Sequence, residues 1–158
     1  MHFKALISLP LAFLATACIS SVELVQRPIV FEPVIGSEVR SSSDIDMSVP
    51  FPEDRSFGVW ALDSHSSGKY VDDQEIRCHD GVWTSSSLPF WPSSSSLTFY
   101  AYSPYDLPMR LEGGNLVLEG YNVAEDDAGF LFAKTSSGLT YSQGEVKLPF
   151  VHALAKLD

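Results

Sequence analysis

The stretch FWPSSSSLTFYAYSPYD, Phe90 to Asp106, sets six aromatic residues around four consecutive serines. Its reading decides the fold. Aromatics on an exposed strand form a stacking platform, whereas aromatics on both faces of a covered strand form a core. Successive side chains of a strand point to opposite faces. In LTFYAYS, Leu97, Phe99 and Ala101 therefore share one face, and Thr98, Tyr100 and Tyr102 share the other. Both faces carry bulk, as in a central sandwich strand with one face on the core and the other partly covered. Trp91-Pro92 favours an extended approach, and Ser93 to Ser96 read as a loop. The alternative for the same aromatics is ligand stacking by Trp91, Tyr102 or Tyr105.

Working outward, short apolar and aromatic runs recur between clusters of Ser, Gly, Pro and Asp, and no window beyond the N-terminus sustains helical periodicity. Strands are expected in PIVFEPVI (28–35), SFGVWAL (56–62), GFLFAKT (129–135) and EVKLPFVHALAKL (145–157). YVDDQEIRCHDGVWT reads as a hairpin turning at Asp80-Gly81, and MRLEGGNLVLEG as one turning at Gly113-Gly114. SEVRSSSDIDMSVPFPED is serine-rich and punctuated by proline, and reads as a long mobile segment. The fold class that follows is an all-β, mostly antiparallel sandwich. Phe57, Val59, Trp60, Leu97, Phe99, Ala101, Leu131, Leu148 and Phe150 are expected in its core.

The chain has 158 residues, 45% of them hydrophobic and 19% charged, which is the composition of one globular domain. Its net charge of −10 and lack of a basic cluster argue against nucleic acid as a partner. The N-terminus, MHFKALISLPLAFLATACISS, has one early lysine and an apolar run too short to span a bilayer, so it reads as an export signal over residues 1–17. Ala15-Thr16-Ala17 suits ordinary signal peptidase. Cys18, directly after it, has the position of a lipidated cysteine, which is the reading adopted, with 18–27 as a lipid-anchored tether. Cys78 is then the one remaining cysteine, read as a half-buried strand residue.

The ordered set FPEDRSFGVWAL, GVW, WPSSSSLTFYAYSP, GFLFA and VKLPFVHALAKL resembles the fimbrillin family of Bacteroidales, the subunits of type V pili and their lipoprotein relatives. The resemblance implies a transthyretin-like antiparallel β-sandwich over 28–158, with the family's second domain absent or truncated. It implies a surface-exposed outer-membrane lipoprotein that enters a fimbrium after processing, as a structural or adhesive subunit or an anchor or tip component. Its partners would be other fimbrial subunits, an arginine-specific protease and surface ligands on host or bacterial cells. Cleavage would fall at Arg40, in GSEVRSSSDID, with Arg27 and Arg55 as competing positions. The donor or edge segment would include Ile29, Val30 and Phe31, in an alternating run that suits strand addition. A surface lipoprotein domain that binds glycans without polymerising is the second reading.

A hydrolase whose catalytic half is missing is the third reading, and no motif here promotes it. The sequence has no G-x-S-x-G, no phosphate-binding glycine loop and no H-E-x-x-H. Cys78, His79 and Asp80 are ligand types, but adjacent strand residues face opposite ways. VDDQE and AEDDAG lack the spacing of a calcium loop and read as solvated turns. No cofactor, metal or catalytic residue is assigned.

Overall fold

A computed structural model describes residues 26–38, 45–120, 130–136 and 138–153. They form ten strands: β1 (Phe31–Glu38), β2 (Ile45–Pro50), β3 (Phe57–Asp63), β4 (Lys69–His79), β5 (Val82–Thr84), β6 (Leu97–Ser103), β7 (Met109–Glu112), β8 (Asn115–Leu118), β9 (Leu131–Lys134) and β10 (Val146–His152). Among the described residues the longest helical element is a 3₁₀ turn, Tyr141–Gln143. The expected all-β sandwich is present. One layer contains β4, β3, β6, β9 and the end of β10; the other contains β5, β1, β2 and the start of β10.

Two strands belong to both layers. β4 pairs with β3 up to Ile76 and with β5 from Arg77. β10 pairs with β1 over Val146 to Phe150 and with β9 at Val151 and His152. Strands that switch sheets make the corners of a sandwich. Hydrogen bonding therefore runs in a closed circuit, β10-β9-β6-β3-β4-β5-β1, and returns from β1 to β10. The β1–β10 contact is parallel, and the other pairings between strands are antiparallel.

The opening stretch is a core strand with its loop. β6 lies between β3 and β9. Leu97, Phe99 and Ala101 face the interior with Phe31, Phe57, Val59, Leu131, Leu148 and Phe150. On the opposite face Tyr100 and Tyr102 join Trp60 in a second apolar layer, closed by Met109 and Leu111 of the β7–β8 hairpin. All nine residues expected in the core are buried, although Trp60 belongs to this outer layer. Two layers sharing one sheet explain why both faces of β6 carry bulk.

The segment after residue 38 corrects an expectation. Ile45–Pro50 is not a mobile stretch but a strand, antiparallel to β1 with Val34 opposite Pro50 and Glu38 opposite Ile45. Its alternation of Ile45, Met47 and Val49 with Asp46 and Ser48 is a strand pattern; the flanking serines and prolines outweighed it. VDDQE is likewise part of β4 and not a turn. The β3–β4 register shifts between Val59 and Ala61, so Asp72 and Asp73 form a bulge beside Trp60, with φ at +46° for Asp73.

Gly58 shows how tightly the outer layer is fitted. It pairs with Tyr102, and a Cβ there would run into the Tyr102 ring. Only glycine lets the ring lie across β3 and stack on Trp60, with centroids 5.1 Å apart and planes 23° from parallel. Gly58→Ala is expected to destabilise the domain by about 1–3 kcal/mol, the usual cost of overpacking. A lowered urea midpoint at unchanged slope is the measurement; an unaltered midpoint would show that the ring relocates without penalty.

Candidate functional site: the slot filled by β1

β1 occupies a slot between the two halves of its layer. On one flank it runs parallel to β10, from Phe31 opposite Val146 to Ile35 opposite Phe150. On the other flank β5 meets it at Phe31, and β2 takes over from Val34. The strand is thus interior to the sheet, with neighbours on both sides. Its approach is also tied down. Arg27 O accepts the Trp91 N–H at 2.9 Å, Ile29 O accepts the Thr84 hydroxyl at 3.0 Å, and Val30 O accepts the Val146 N–H at 2.8 Å.

Alternation sends Ile29, Phe31 and Pro33 inward, where all three are buried. Phe31 sits edge-on to two rings, Phe57 at 5.9 Å and Phe99 at 5.5 Å, with interplanar angles of 85° and 86°. Burying a phenylalanine this fully is worth several kcal/mol, since truncating one in a core costs about 3–5 kcal/mol. Glu32 points outward, 3.8 Å from Lys147, and both are exposed, so their attraction is weak.

Side-chain packing is strong here, but the backbone ladder is thin. Pro33 lies within β1, and Pro149 and Pro50 both stand opposite Val34. None of the three has an N–H to donate. Parallel pairing is also slightly less stable per residue than antiparallel pairing. β1 is held chiefly by its inward side chains.

Other candidate residues fall elsewhere. Trp91 packs edge-on against Phe99 at 5.7 Å, at the rim of the inner core. Tyr102 is 1% exposed, sandwiched in the outer layer, so its ring is no stacking platform; the tight fit against Gly58 and Trp60 is the reason. Tyr105 leans on Tyr102 at 6.2 Å and donates from its hydroxyl to Asp73 O at 3.2 Å. Cys78 is half-buried against the inner core. Arg27 precedes Pro28, and its guanidinium lies 4.2 Å from the centre of the Tyr141 ring; Arg55 lies in an exposed turn. Cys18, Arg40 and the AEDDAG stretch lie outside the described residues.

One carboxylate of VDDQE, read in the sequence as a solvated turn, is instead part of the β4 bulge. Asp73 accepts the Tyr102 hydroxyl at 2.9 Å, the same hydroxyl that lies 3.1 Å from Tyr105 O. Burial raises the Asp73 pKa from its ordinary value, outweighing the lowering by the Tyr102 hydrogen bond. Burial together with Asp73 pushes the Tyr102 phenol strongly upward.

The fimbrillin-like family matches residues 45–158. The chain belongs to that family. Among solved structures, a protein from Bacteroides ovatus ATCC 8483 assigned to cell adhesion is similar over 80% of this chain, at 19% identity and a TM-score of 0.51. That likeness bears on the fold. The chain spans about half of that structure's length, 52%. No curated protein matches the chain.

The Asp73 shift has a sign that can be checked. A carboxyl whose folded pKa is raised costs stability while ionised, and the cost is relieved as pH falls through the folded value towards 3.8. Asp73→Asn removes the ionised state. Relative to that variant, the natural chain should gain stability between neutral pH and about pH 4. Urea midpoints of the two proteins across this range test it; a difference constant with pH would show that Asp73 titrates as it does when unfolded.

Proposed function

We propose that the chain is a structural or adhesive component of a cell-surface fimbria, a subunit or an anchor or tip accessory, assembled by protease-triggered strand addition. The observation that carries this reading is the position of β1. It is interior to the sheet and anchors the core through Ile29, Phe31 and Pro33, yet residues 39–44, which contain Arg40, are its link to the unit the family matches. A cut at Arg40 severs the β1–β2 connection and leaves every other strand covalently continuous. β1 is then retained only by contacts, and its proline-thinned ladder makes it replaceable.

Loss of β1 opens the hydrogen-bonding circuit between β10 and β5 and exposes the sockets of Ile29 and Phe31. Unpaired backbone and bare apolar sockets each cost free energy, which drives capture of another strand. The incoming strand would run parallel to β10 and bring an apolar residue at every second position. Arg27 is a poor alternative cleavage site, because the bond to Pro28 is a tertiary amide with no N–H and a ring-locked φ. Cleavage at Arg55 would remove β2 and Phe51 along with β1, and Phe51 packs on Phe57, Trp83 and Phe150. Cys18, acylated after removal of residues 1–17, would hold the unprocessed chain at the outer membrane.

An arginine-specific protease should cut the purified chain before Ser41, after which oligomers form. Arg40→Ala should remain uncut there and monomeric by size-exclusion chromatography, whereas Arg55→Ala should behave as the natural chain. Trimming and assembly that are unchanged in Arg40→Ala would remove this switch. For the anchor, cells fed labelled palmitate should label the natural chain and not Cys18→Ala. Equal labelling of the two would place processing at Ala17, without lipid.

A further inference from the structure

The serine run that is not a platform does build a cleft. Three loops meet at that pole of the sandwich: the β3–β4 loop, the approach to β6 and the β9–β10 segment. Asp63 ties the first two together. Its Oδ1 accepts the His65 N–H at 2.7 Å and its Oδ2 accepts the Ser95 hydroxyl at 2.8 Å. These two bonds hold the Asp63 carboxyl below its ordinary pKa, the His65 bond contributing most. Ser64 and Ser96 add a reciprocal pair, Ser64 N–H to Ser96 O at 2.9 Å and Ser96 N–H to Ser64 Oγ at 3.1 Å. Leu97 and Leu139 exchange backbone bonds at 2.8 and 3.1 Å, which fixes the third loop beside them.

Between the loops lies a cleft of about 330 Å³, lined by Ser64, His65, Ser93, Ser94, Ser96 and Tyr141 among others. Its size is at the lower end for small-molecule sites, which run from about 300 to 1,000 Å³. The lining offers hydroxyls and no carboxylate, ammonium or guanidinium. Tyr141 is 42% exposed in a domain that buries most of its large aromatics. Arg27 rests against that ring, so the ring is held in place before any ligand arrives.

We propose that this cleft binds a neutral saccharide, the terminal sugar of a glycan. Hydroxyl groups both donate and accept, so a serine-lined wall can pair with sugar hydroxyls in either sense. The Tyr141 face opposite Arg27 would supply the flat apolar surface that the C–H face of a pyranose needs. The Asp63 carboxylate behind Ser95 and the net charge of −10 disfavour an acidic sugar, and the nearby Arg27 guanidinium is engaged by the Tyr141 ring. Rigid sandwiches commonly place recognition on the loops at one pole. The cleft loops lie outside the slot of β1, while Arg27, on the approach to that strand, touches the cleft through Tyr141. Titrating the uncleaved chain keeps the test independent of strand exchange.

The full chain should be titrated with the methyl glycosides of galactose, mannose, glucose and N-acetylglucosamine, and with N-acetylneuraminic acid, following backbone amide shifts by NMR. At least one neutral sugar should move Ser93, Ser94, Ser96 and Tyr141 together, and N-acetylneuraminic acid should not. Tyr141→Ala should weaken binding about ten-fold, the scale of one aromatic contact, while Tyr141→Phe keeps it. Ser94→Val, at a surface position, should weaken it independently. No shifts with any neutral sugar, shifts away from this pole, or equal binding by Tyr141→Ala would each overturn the proposal.

Discussion

The parallel contact between β1 and β10 is the constraint on which the architecture depends. Without it the layers would be joined only through β4, at one corner, and the facing edges of β1 and β10 would both be open. With it, hydrogen bonding closes on itself and the Phe31 ring is driven between Phe57 and Phe99. The same contact is the weakest kind of pairing present, interrupted by Pro33 and Pro149 and flanked by Pro50. A strand that is essential to the core and lightly bonded along its backbone combines the two properties that strand exchange requires.

The second apolar layer complements this arrangement. Trp60, Tyr100 and Tyr102 pack under the β7–β8 hairpin, on the far side of the sheet from β1. Trp60 and Tyr102 are further fixed to the β4 bulge, through Trp60 Nε1–H to Asp72 at 3.1 Å and Tyr102 Oη–H to Asp73 at 2.9 Å. Removal of β1 would strip the inner core of one strand while β3 and β6 remain clamped from outside. The domain can then persist with an open slot for long enough to capture a strand.

Much of this was legible in the sequence because it is local. Alternation in LTFYAYS placed Phe99 inward and Tyr102 outward, and Asp80-Gly81 and Gly113-Gly114 marked turns that the structure makes with positive φ. What was not legible is relational. Val146 and Phe31 are far apart in the chain, and neither segment states its partner or direction. β2 was hidden because serine and proline around it argued locally for a loop, while its pairing with β1 supplied the deciding energy. Stacking by Tyr102 was the alternative that the sequence left open; Gly58, on the neighbouring strand, makes room for its ring in the outer layer instead. Arg27 and Tyr141, one at each end of the sequence, meet only in the fold.

Amide hydrogen exchange tests the central claim most directly, because protection reports the local opening of each strand. The chain would be cut at Arg40 and the segment before it removed under mild denaturant. On return to native buffer, Val146–Phe150 of β10 and Ile45–Pro50 of β2 should exchange fast, with a smaller loss of protection at Trp83 of β5, while β3 and β6 keep their protection. Adding a synthetic peptide of residues 27–38 should restore slow exchange at β10, β2 and Trp83 of β5 alone. Unchanged protection of β10 after removal of β1, or collapse of protection across β3 and β6 as well, would contradict the account of β1 as a separable strand that closes the sheet.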